Sequence, residues 1–397
     1  VVLCAHYATG WGHSLDENMA WTIESYTKGT NLYNRHLISY SLMGGWYEYV
    51  PPADHFYQPH WRYWRTFADY VRRLSFIMSQ GRHRADVALL YPLTTLHAHW
   101  TGARGETVDG VRRPAPEEQS SETVFQPEAF ATSERTEELA TAIFEDGIDF
   151  DFVDDESFGR ATVEDGVLSM AGLEFRSVVL PPMTTIRRST METIKAFHDD
   201  GGTVIAFGQL PYASVESGRD DPTLQALLDS VFANGSDRGA LVTGDVADVP
   251  RALSQLVDRD VITSEDDVFH THQRAGDVDI YLMFNVRTEA RELTVDLRAT
   301  GRVERWDAFT GEIRPVPRVR RNGHRSQLRL TLAGNEGVVL VVSPDTTGDP
   351  VVLTDDIDEV AAVEVTGAAP VVLGYDTAGG AKQATVLHDG EEMRLRG

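Results

Sequence analysis

The chain has 397 residues, 42% of them hydrophobic, enough to bury two or three cores, and no run of about eighteen apolar residues that would span a membrane. Its 61 Asp and Glu against 36 Lys and Arg give a net charge of -25, and lysine occurs only at Lys28, Lys195 and Lys382. That balance disfavours nucleic acid as a partner; it fits a surface adapted to molar salt, where the Debye length falls to about 3 Å, or else an ordinary acidic enzyme from a GC-rich genome.

The first predicted element is an apolar strand over residues 1–5. Cys4 within it reads as a buried small hydrophobe rather than a nucleophile, and as the one cysteine it excludes an internal disulfide and a cysteine-based zinc cluster. After the loop His6-Tyr7-Ala8-Thr9-Gly10-Trp11-Gly12-His13, Ser14 is placed to cap a helix with Asp16 and Glu17 in its first turn, and Gly29 ends it. A second strand over about 31–40 bears His36. The loop from Ser41 to His60 carries Trp46, Tyr47, Glu48, Tyr49, Asp54, His55 and Tyr57. Sugars present C–H faces that stack on aromatics and hydroxyls that need polar partners, so a mixed aromatic and acidic loop suits them, although such loops also simply cap barrels. Trp61, Trp64, Phe67, Val71, Leu74 and Met78 then recur every three or four residues on one face of a helix. Strand, loop, helix, strand is the grammar of a (β/α) barrel with functional groups on the loops after the strands, and residues 1–84 are assigned to a partial barrel. Because the chain starts on a valine in mid-pattern, we expect a fragment of a longer protein.

Residues 85–265 read as a parallel α/β domain. Strand 86–91 is followed by a polar excursion at 100–133, a helix at 134–146 and strand 149–153. Strand 177–180 ends in Pro181-Pro182; helix 189–199 and Gly201-Gly202 lead into strand 203–207, with helices near 222–233 and 247–258. From about Val268 a period of two takes over. Val278, Ile280, Leu282 and Phe284 share a face, as do Leu293, Val295 and Leu297, and Leu328, Leu330 and Leu332, with turns at Thr310-Gly311, Asn322-Gly323 and Gly334-Asn335. Residues 266–397 are therefore expected to form an antiparallel β-sandwich with a C-terminal extension, and the fold class is α/β plus all-β. No HExxH, GxSxG, GxGxxG, phosphate-loop or EF-hand pattern appears, so neither a cofactor nor a metal is expected.

Several of these motifs carry a resemblance. Gly29-x-Asn31 with His36, Tyr40-Ser41 with Gly44-Gly45, Pro51-Pro52, Tyr57-Gln58-Pro59-His60-Trp61, Asp69-Tyr70-x-x-Arg73-Leu74 and the exit Asp86-Val87-Ala88-Leu89-Leu90-Tyr91-Pro92 resemble the late barrel of large glycoside hydrolases. The nearest group is the α-L-rhamnosidase-like enzymes of glycoside hydrolase family 106. Gly301-x-Val303-Glu304-x-Trp306-Asp307-x-x-Thr310-Gly311 resembles their C-terminal β domain, and residues 85–265 resemble the flavodoxin- or amidotransferase-like domain that follows the barrel in several glycosidases. An amidotransferase would carry a nucleophilic cysteine on the turn Leu180-Pro181-Pro182-Met183-Thr184, which has none, so this domain is expected to be structural, with homo-oligomer formation through it left open. The resemblance implies a TIM barrel, a carbohydrate substrate, and sugar contacts from His6, Trp11, His36, Tyr40 and Trp46. It also implies a strand-end glutamate before the Gly10-Trp11 turn, where this chain has Cys4; a shifted alignment, an acid elsewhere or a degenerate site would each account for the departure.

Glycoside hydrolysis needs two carboxylates roughly 5–9.5 Å apart. The local candidates are Glu48, directly after the strand bearing His36, and Asp54. For Glu48 the alternative is a solvated loop charge or an arginine partner, and for His36 a structural hydrogen bond. The leading expectation is a glycoside hydrolase lacking most of its barrel; the alternative is a non-catalytic carbohydrate-binding or assembly protein on the same scaffold.

Overall fold

Strands β1 (Val2–Ala5) and β2 (Leu32–Arg35) pair in parallel, with helix α1 (Leu15–Thr27) between them in the chain. Helix α1 starts where its sequence dictates. The Glu17 amide donates to the Ser14 hydroxyl at 3.1 Å and the Ser14 amide donates to the Glu17 carboxylate at 2.8 Å, a capping box that satisfies two otherwise orphan donors. Helix α2 (Trp64–Met78) follows a single 3-10 turn at Trp61–Tyr63 and buries Phe67, Tyr70, Leu74, Ile77 and Met78. Its inward face is rotated from the expected one. Trp61 is exposed and Trp64 only half-buried, because the tighter turn breaks the 3.6-residue period before the helix begins.

This computed structural model describes residues 2–5, 14–35, 56, 58–99, 105–108, 111–114, 127–232, 238–344, 350–357, 359–366 and 369–397. They form two compact units: Val1–His83 with Asp260–Gly397, and Arg84–Arg259.

After the short strand β3 (Arg82–His83), the second unit opens with β4 (Val87–Leu90) and α3 (Leu93–Ala98). The polar excursion holds a hairpin, β5 (Gly105–Val108) with β6 (Val111–Pro114), and α4 (Pro127–Glu145) begins seven residues earlier than expected, with proline at a helix start, where its missing N–H is harmless. Next come β7 (Phe150–Val153), α5 (Asp155–Phe158) and an unexpected antiparallel meander, β8 (Thr162–Glu164), β9 (Val167–Met170) and β10 (Leu173–Phe175). Then follow β11 (Ser177–Leu180), β12 (Thr185–Ile186), α6 (Arg188–Asp199), β13 (Thr203–Phe207), β14 (Ala213–Ser214), β15 (Gly218–Arg219), α7 (Pro222–Phe232), β16 (Gly239–Val242) and α8 (Asp248–Leu253). The main sheet is wholly parallel, in the order β16-β13-β11-β4-β7. Side chains alternate across it. Ala88, Leu90, Val178 and Leu180 pack with α6 and α7 through Met191, Ile194, Phe197 and Leu228, while Val87, Leu89, Val179 and Ile205 pack with α4 and α8 through Leu139, Ile143, Val249 and Leu253. Burial on both faces is why these strands read as continuous apolar runs.

The first unit resumes with β17 (Val261–Thr263), β18 (Val268–Ala275), β19 (Val278–Asn285), β20 (Arg291–Leu297), β21 (Arg302–Trp306), β22 (Ile313–Pro315), β23 (Arg320–Asn322), β24 (Arg325–Leu332) and β25 (Gly337–Ser343). A four-stranded sheet, β17-β20-β24-β23, and a six-stranded sheet, β22-β21-β25-β19-β18-β3, share one core of Tyr281, Met283, Leu293, Val295, Leu328, Leu330 and Leu340. The other face of the six-stranded sheet is covered by the N-terminal helices. Ile280, Leu282, Phe284, Val339 and Val341 meet Ile23, Tyr26, Leu74, Ile77 and Met78 of α1 and α2. The connection is tight. At Gly81, φ is +71° and a Cβ would lie 2.3 Å from the Arg274 carbonyl, while Gln273 Nε2 donates to the Met78 carbonyl at 2.9 Å, satisfying an orphan acceptor at the end of α2. Strands β26 (Val351–Asp355), β27 (Glu359–Thr366), β28 (Ala369–Tyr375), β29 (Gln383–His388) and β30 (Glu391–Arg396) finish the chain as a three-stranded sheet, β26-β29-β30, and a hairpin, β27-β28.

Candidate functional site

Ala5 lies opposite Arg35, so the carboxyl ends of β1 and β2 are side by side, and Cys4 pairs in register with Asn34. The seven residues singled out from the sequence, His6, Trp11, His36, Tyr40, Trp46, Glu48 and Asp54, all lie outside the described residues. Against β2 the structure adds an aromatic row that the helical period assigns to the interior. Trp61 and Trp64 stack at 6.1 Å, Trp64 meets Phe67 at 4.9 Å, and Phe67 meets Tyr33 of β2 edge-on at 6.4 Å. Trp61 is 37% exposed, so this end of the row is partly open to solvent, and aromatic rings are surfaces that the C–H face of a pyranose can stack on. A signal was present: Trp61-Arg62-Tyr63-Trp64-Arg65 is five large residues in succession, which cannot all turn inward.

Two carboxylates do converge in this unit, but on a histidine and away from solvent. His272 Nδ1 is 2.8 Å from Asp260 and its Nε2 3.0 Å from Asp279; Arg298 adds an ion pair to Asp260 at 2.9 Å, and the imidazole stacks on Tyr281 at 4.1 Å. Burial alone would push the His272 pKa down, but the bonds to two carboxylates reverse this and hold it above the ordinary value. Burial would likewise raise Asp260, yet His272 and Arg298 bring it below the usual carboxylate range. His272 is 0% exposed. No glycosidic bond can reach this cluster, and its role is to hold β18 and β19 to the segments around them.

In the second unit the strand order reverses between β4 and β11, the point outside which open α/β sheets bind their ligands. Here α3 is pinned to the turn after β11. Thr95 Oγ1 accepts from the amides of Thr184 at 3.2 Å and Thr185 at 3.0 Å and donates to the Thr185 carbonyl at 2.8 Å, and His99 Nε2 lies 2.9 Å from Thr184 Oγ1. Thr94 and Thr190 donate to the buried Asp155. The small sheet β12-β14-β15 supplies another wall. Between them lies a cavity of about 500 Å³, with Thr94, His97, His99, Arg187, Tyr212 and Arg219 in its lining. Among the described residues the lining includes no Asp or Glu, the usual acid and base of glycoside hydrolysis. Among the described residues no group of three or more His, Cys, Asp or Glu is placed to hold a metal ion.

The model of glycoside hydrolase family 106, described as alpha-L-rhamnosidase, matches residues 128–319. The chain resembles glycoside hydrolase family 106. The match runs through both the parallel sheet and the β-rich region, beyond the N-terminal motifs that carry the resemblance in the sequence. A rhamnosidase from Novosphingobium sp. PP1Y shares the fold over 97% of this chain and 37% of its own, with a TM-score of 0.60 at 16% identity. A GH42 β-galactosidase from G. stearothermophilus does so over 86% of this chain and 53% of its own, with a TM-score of 0.54 at 12% identity. A relative from Formosa agariphila named "Putative beta-glucuronidase" is 25% identical over 287 residues. The chain spans 21% of that relative's length and covers 71% of itself in doing so. A family 106-like scaffold of mixed sheets and helices is thus shared with glycoside hydrolases at low sequence identity.

Proposed function

We propose that this chain is the C-terminal part of a glycoside hydrolase that cleaves O-glycosyl bonds, with α-L-rhamnosides the first substrates to test. In this reading β1, α1, β2 and α2 are closing units of a (β/α) barrel, the parallel sheet is the amidotransferase-like domain, and the two sheets with a common core are the β-sandwich. The observation that carries it is the pair of adjoining parallel strand ends, with an aromatic row of Trp61, Trp64 and Phe67 reaching β2 at Tyr33, because a barrel gathers its catalytic groups at the carboxyl ends of its strands. The fold likeness to the rhamnosidase over 97% of this chain, but only 37% of that one, supports a longer parent whose other strands supply a further carboxylate.

The chemistry is the usual pair of tasks: one carboxylic acid protonates the leaving oxygen while a carboxylate activates water or attacks the anomeric carbon. Glu48 is the first candidate for a local member of that pair and Asp54 the second, with His6, Trp11, His36, Tyr40 and Trp46 contacting the sugar. The test is hydrolysis of a panel of aryl glycosides, the α-L-rhamnoside included, by the longer parent and by its Glu48→Gln variant. A positioned acid or base contributes about 10²- to 10⁴-fold, so a much smaller loss removes Glu48 from the pair, and an inactive, folded parent across the panel sinks the hydrolase reading.

One observation favours the second reading, carbohydrate binding without cleavage. The outer face of the four-stranded sheet and the β27-β28 hairpin enclose a groove of about 670 Å³, with Thr294, Arg320, Gln327 and Arg329 along its floor and Tyr375, 66% exposed, on its wall. An inactive parent that still bound a soluble glycan, and lost it on Tyr375→Ala, would establish that alternative.

A further inference from the structure

We propose that the cavity at the switch point of the parallel sheet binds a small polyhydroxylated anion, a sugar acid or a sugar phosphate. The site lies wholly within Arg84–Arg259 and has no part in the proposed hydrolysis.

Four features converge. The cavity opens outside the carboxyl ends of β4 and β11, where the order of the sheet reverses and where the helix and turn that follow the two strands must diverge, leaving space. Its volume, about 500 Å³, lies in the range of small-molecule sites, about 300–1,000 Å³. Its charge runs against the rest of the molecule. In a chain of net charge -25, the lining holds Arg187, Arg219, His97 and His99 and, among the described residues, no carboxylate. Two of the acids nearby are already engaged. Glu216 accepts from the Arg188 amide at the start of α6 at 2.9 Å; Asp221 accepts from Ser214 at 2.6 Å and from the Arg188 guanidinium at 2.7 Å, and these bonds pull its pKa down to about 2.

That division of labour leaves Arg187 and Arg219 as the cations facing the space. Neither forms an ion pair among the described residues, and Arg219 is held over the Tyr212 ring at 5.0 Å, so its guanidinium is positioned without being neutralised. Two guanidiniums can hold a carboxylate or a phosphate in bidentate fashion. Around them Thr185, Tyr212 and His97 supply hydroxyl and imidazole groups for sugar hydroxyls. Among the described residues the lining holds no Asp or Glu, and the proposal is of binding alone.

The experiment is isothermal titration of the 397-residue chain in dilute buffer with glucuronate, glucose 6-phosphate and, as the neutral control, glucose. Binding of at least one anion is expected, and which one binds tells a carboxylate ligand from a phosphate ligand. Arg187→Ala with Arg219→Ala should weaken it by about tenfold or more, the effect of about 1.4 kcal/mol, with Arg187→Lys retaining part of the affinity. Both arginines are exposed, so the variants should melt with the parent, and that is checked in the same samples. The proposal is overturned if neither anion binds, if glucose binds as well as the anions, or if the double variant binds them undiminished. Because binding is read as heat and not as hydrolysis, failure here leaves the glycosidase reading standing, and the reverse also holds.

Discussion

In the parallel sheet of Arg84–Arg259 the layers between strands and helices are apolar on both faces, and the buried carboxylates lie outside those layers, Asp155 just after β7 and Asp221 between β15 and α7; in the antiparallel unit a histidine and two carboxylates are sealed beside the strands themselves. A parallel sheet covered by helices has nowhere to satisfy polar side chains except past its strand ends, and that is where its cavity opens. Paired antiparallel sheets can hold such a group inside, provided every valence is filled, and a group so filled is closed to substrates. Burial with full satisfaction therefore marks architecture, while unneutralised charge on a cavity wall marks function.

The largest effect should come from breaking that sealed cluster. Asp260→Ala removes a carboxylate that both His272 and Arg298 contact in a buried site, and should cost about 3–5 kcal/mol. Phe197→Ala, in the apolar layer of the parallel unit, should cost a similar amount, about 3–5 kcal/mol, through the cavity it leaves. The two losses part company in their response to pH. A histidine raised above its ordinary value, about 6.5, supplies stability that is complete below that pH and fades as pH rises through the raised value; the lowered Asp260 supplies stability that fades only as pH falls through its own low value. Urea denaturation across this range should show the gap between parent and His272→Ala narrowing at alkaline pH, while the Phe197→Ala gap stays level. If both gaps move together, the contrast between the units is wrong.

A middling effect is expected where α2 is tied to the turn after β21. Arg73 Nη1 donates to the carbonyls of Ala308 at 2.9 Å and Phe309 at 2.7 Å, while Asp307 accepts from the Phe309 and Thr310 amides to shape that turn. Arg73→Ala should lower stability by about 1–3 kcal/mol, seen as a lower denaturation midpoint at unchanged m-value, with Arg73→Lys intermediate. An unchanged midpoint would mean that the helix is held by its apolar face alone.

This layer is also where reading the sequence reached its limit. Strands 177–180 and 203–207 were legible because β-branched apolar runs are bounded by Pro181-Pro182 and Gly201-Gly202, and Gly202 proves necessary, since a Cβ there would meet the Phe197 ring at 2.2 Å. The β8–β10 meander escaped because its strands of three or four residues are too short to show a period, although Asp165-Gly166 and Ala171-Gly172, all with positive φ, are its hairpin turns. The covering of the six-stranded sheet by α1 and α2 joins residues more than 200 positions apart, which no local pattern encodes. Its trace was the near-continuous apolar run of β19: Ile280, Leu282 and Phe284 face the helices while Tyr281 and Met283 face the other sheet. For the site, strands β1 and β2 were legible and the exposed part of the aromatic row was not, because a 3-10 turn shifts phase before the helix begins.

The smallest effect separates the sealed cluster from the exposed charge. Repulsion within a surface of net charge -25 acts through solvent, so molar KCl, with a Debye length of about 3 Å, should raise the melting temperature of the whole chain. The ion pairs of His272 are excluded from that solvent and are screened much less, whereas exposed pairs such as Lys28 with Glu24, worth about 0–1 kcal/mol, lose what they have. Parent and His272→Ala should therefore both gain from salt, and by nearly the same amount. Calorimetry of the two proteins in dilute buffer and in molar KCl reads this directly. A gap that closed in salt would show the cluster to be open to solvent, and a parent indifferent to salt would remove the halophilic reading of its composition.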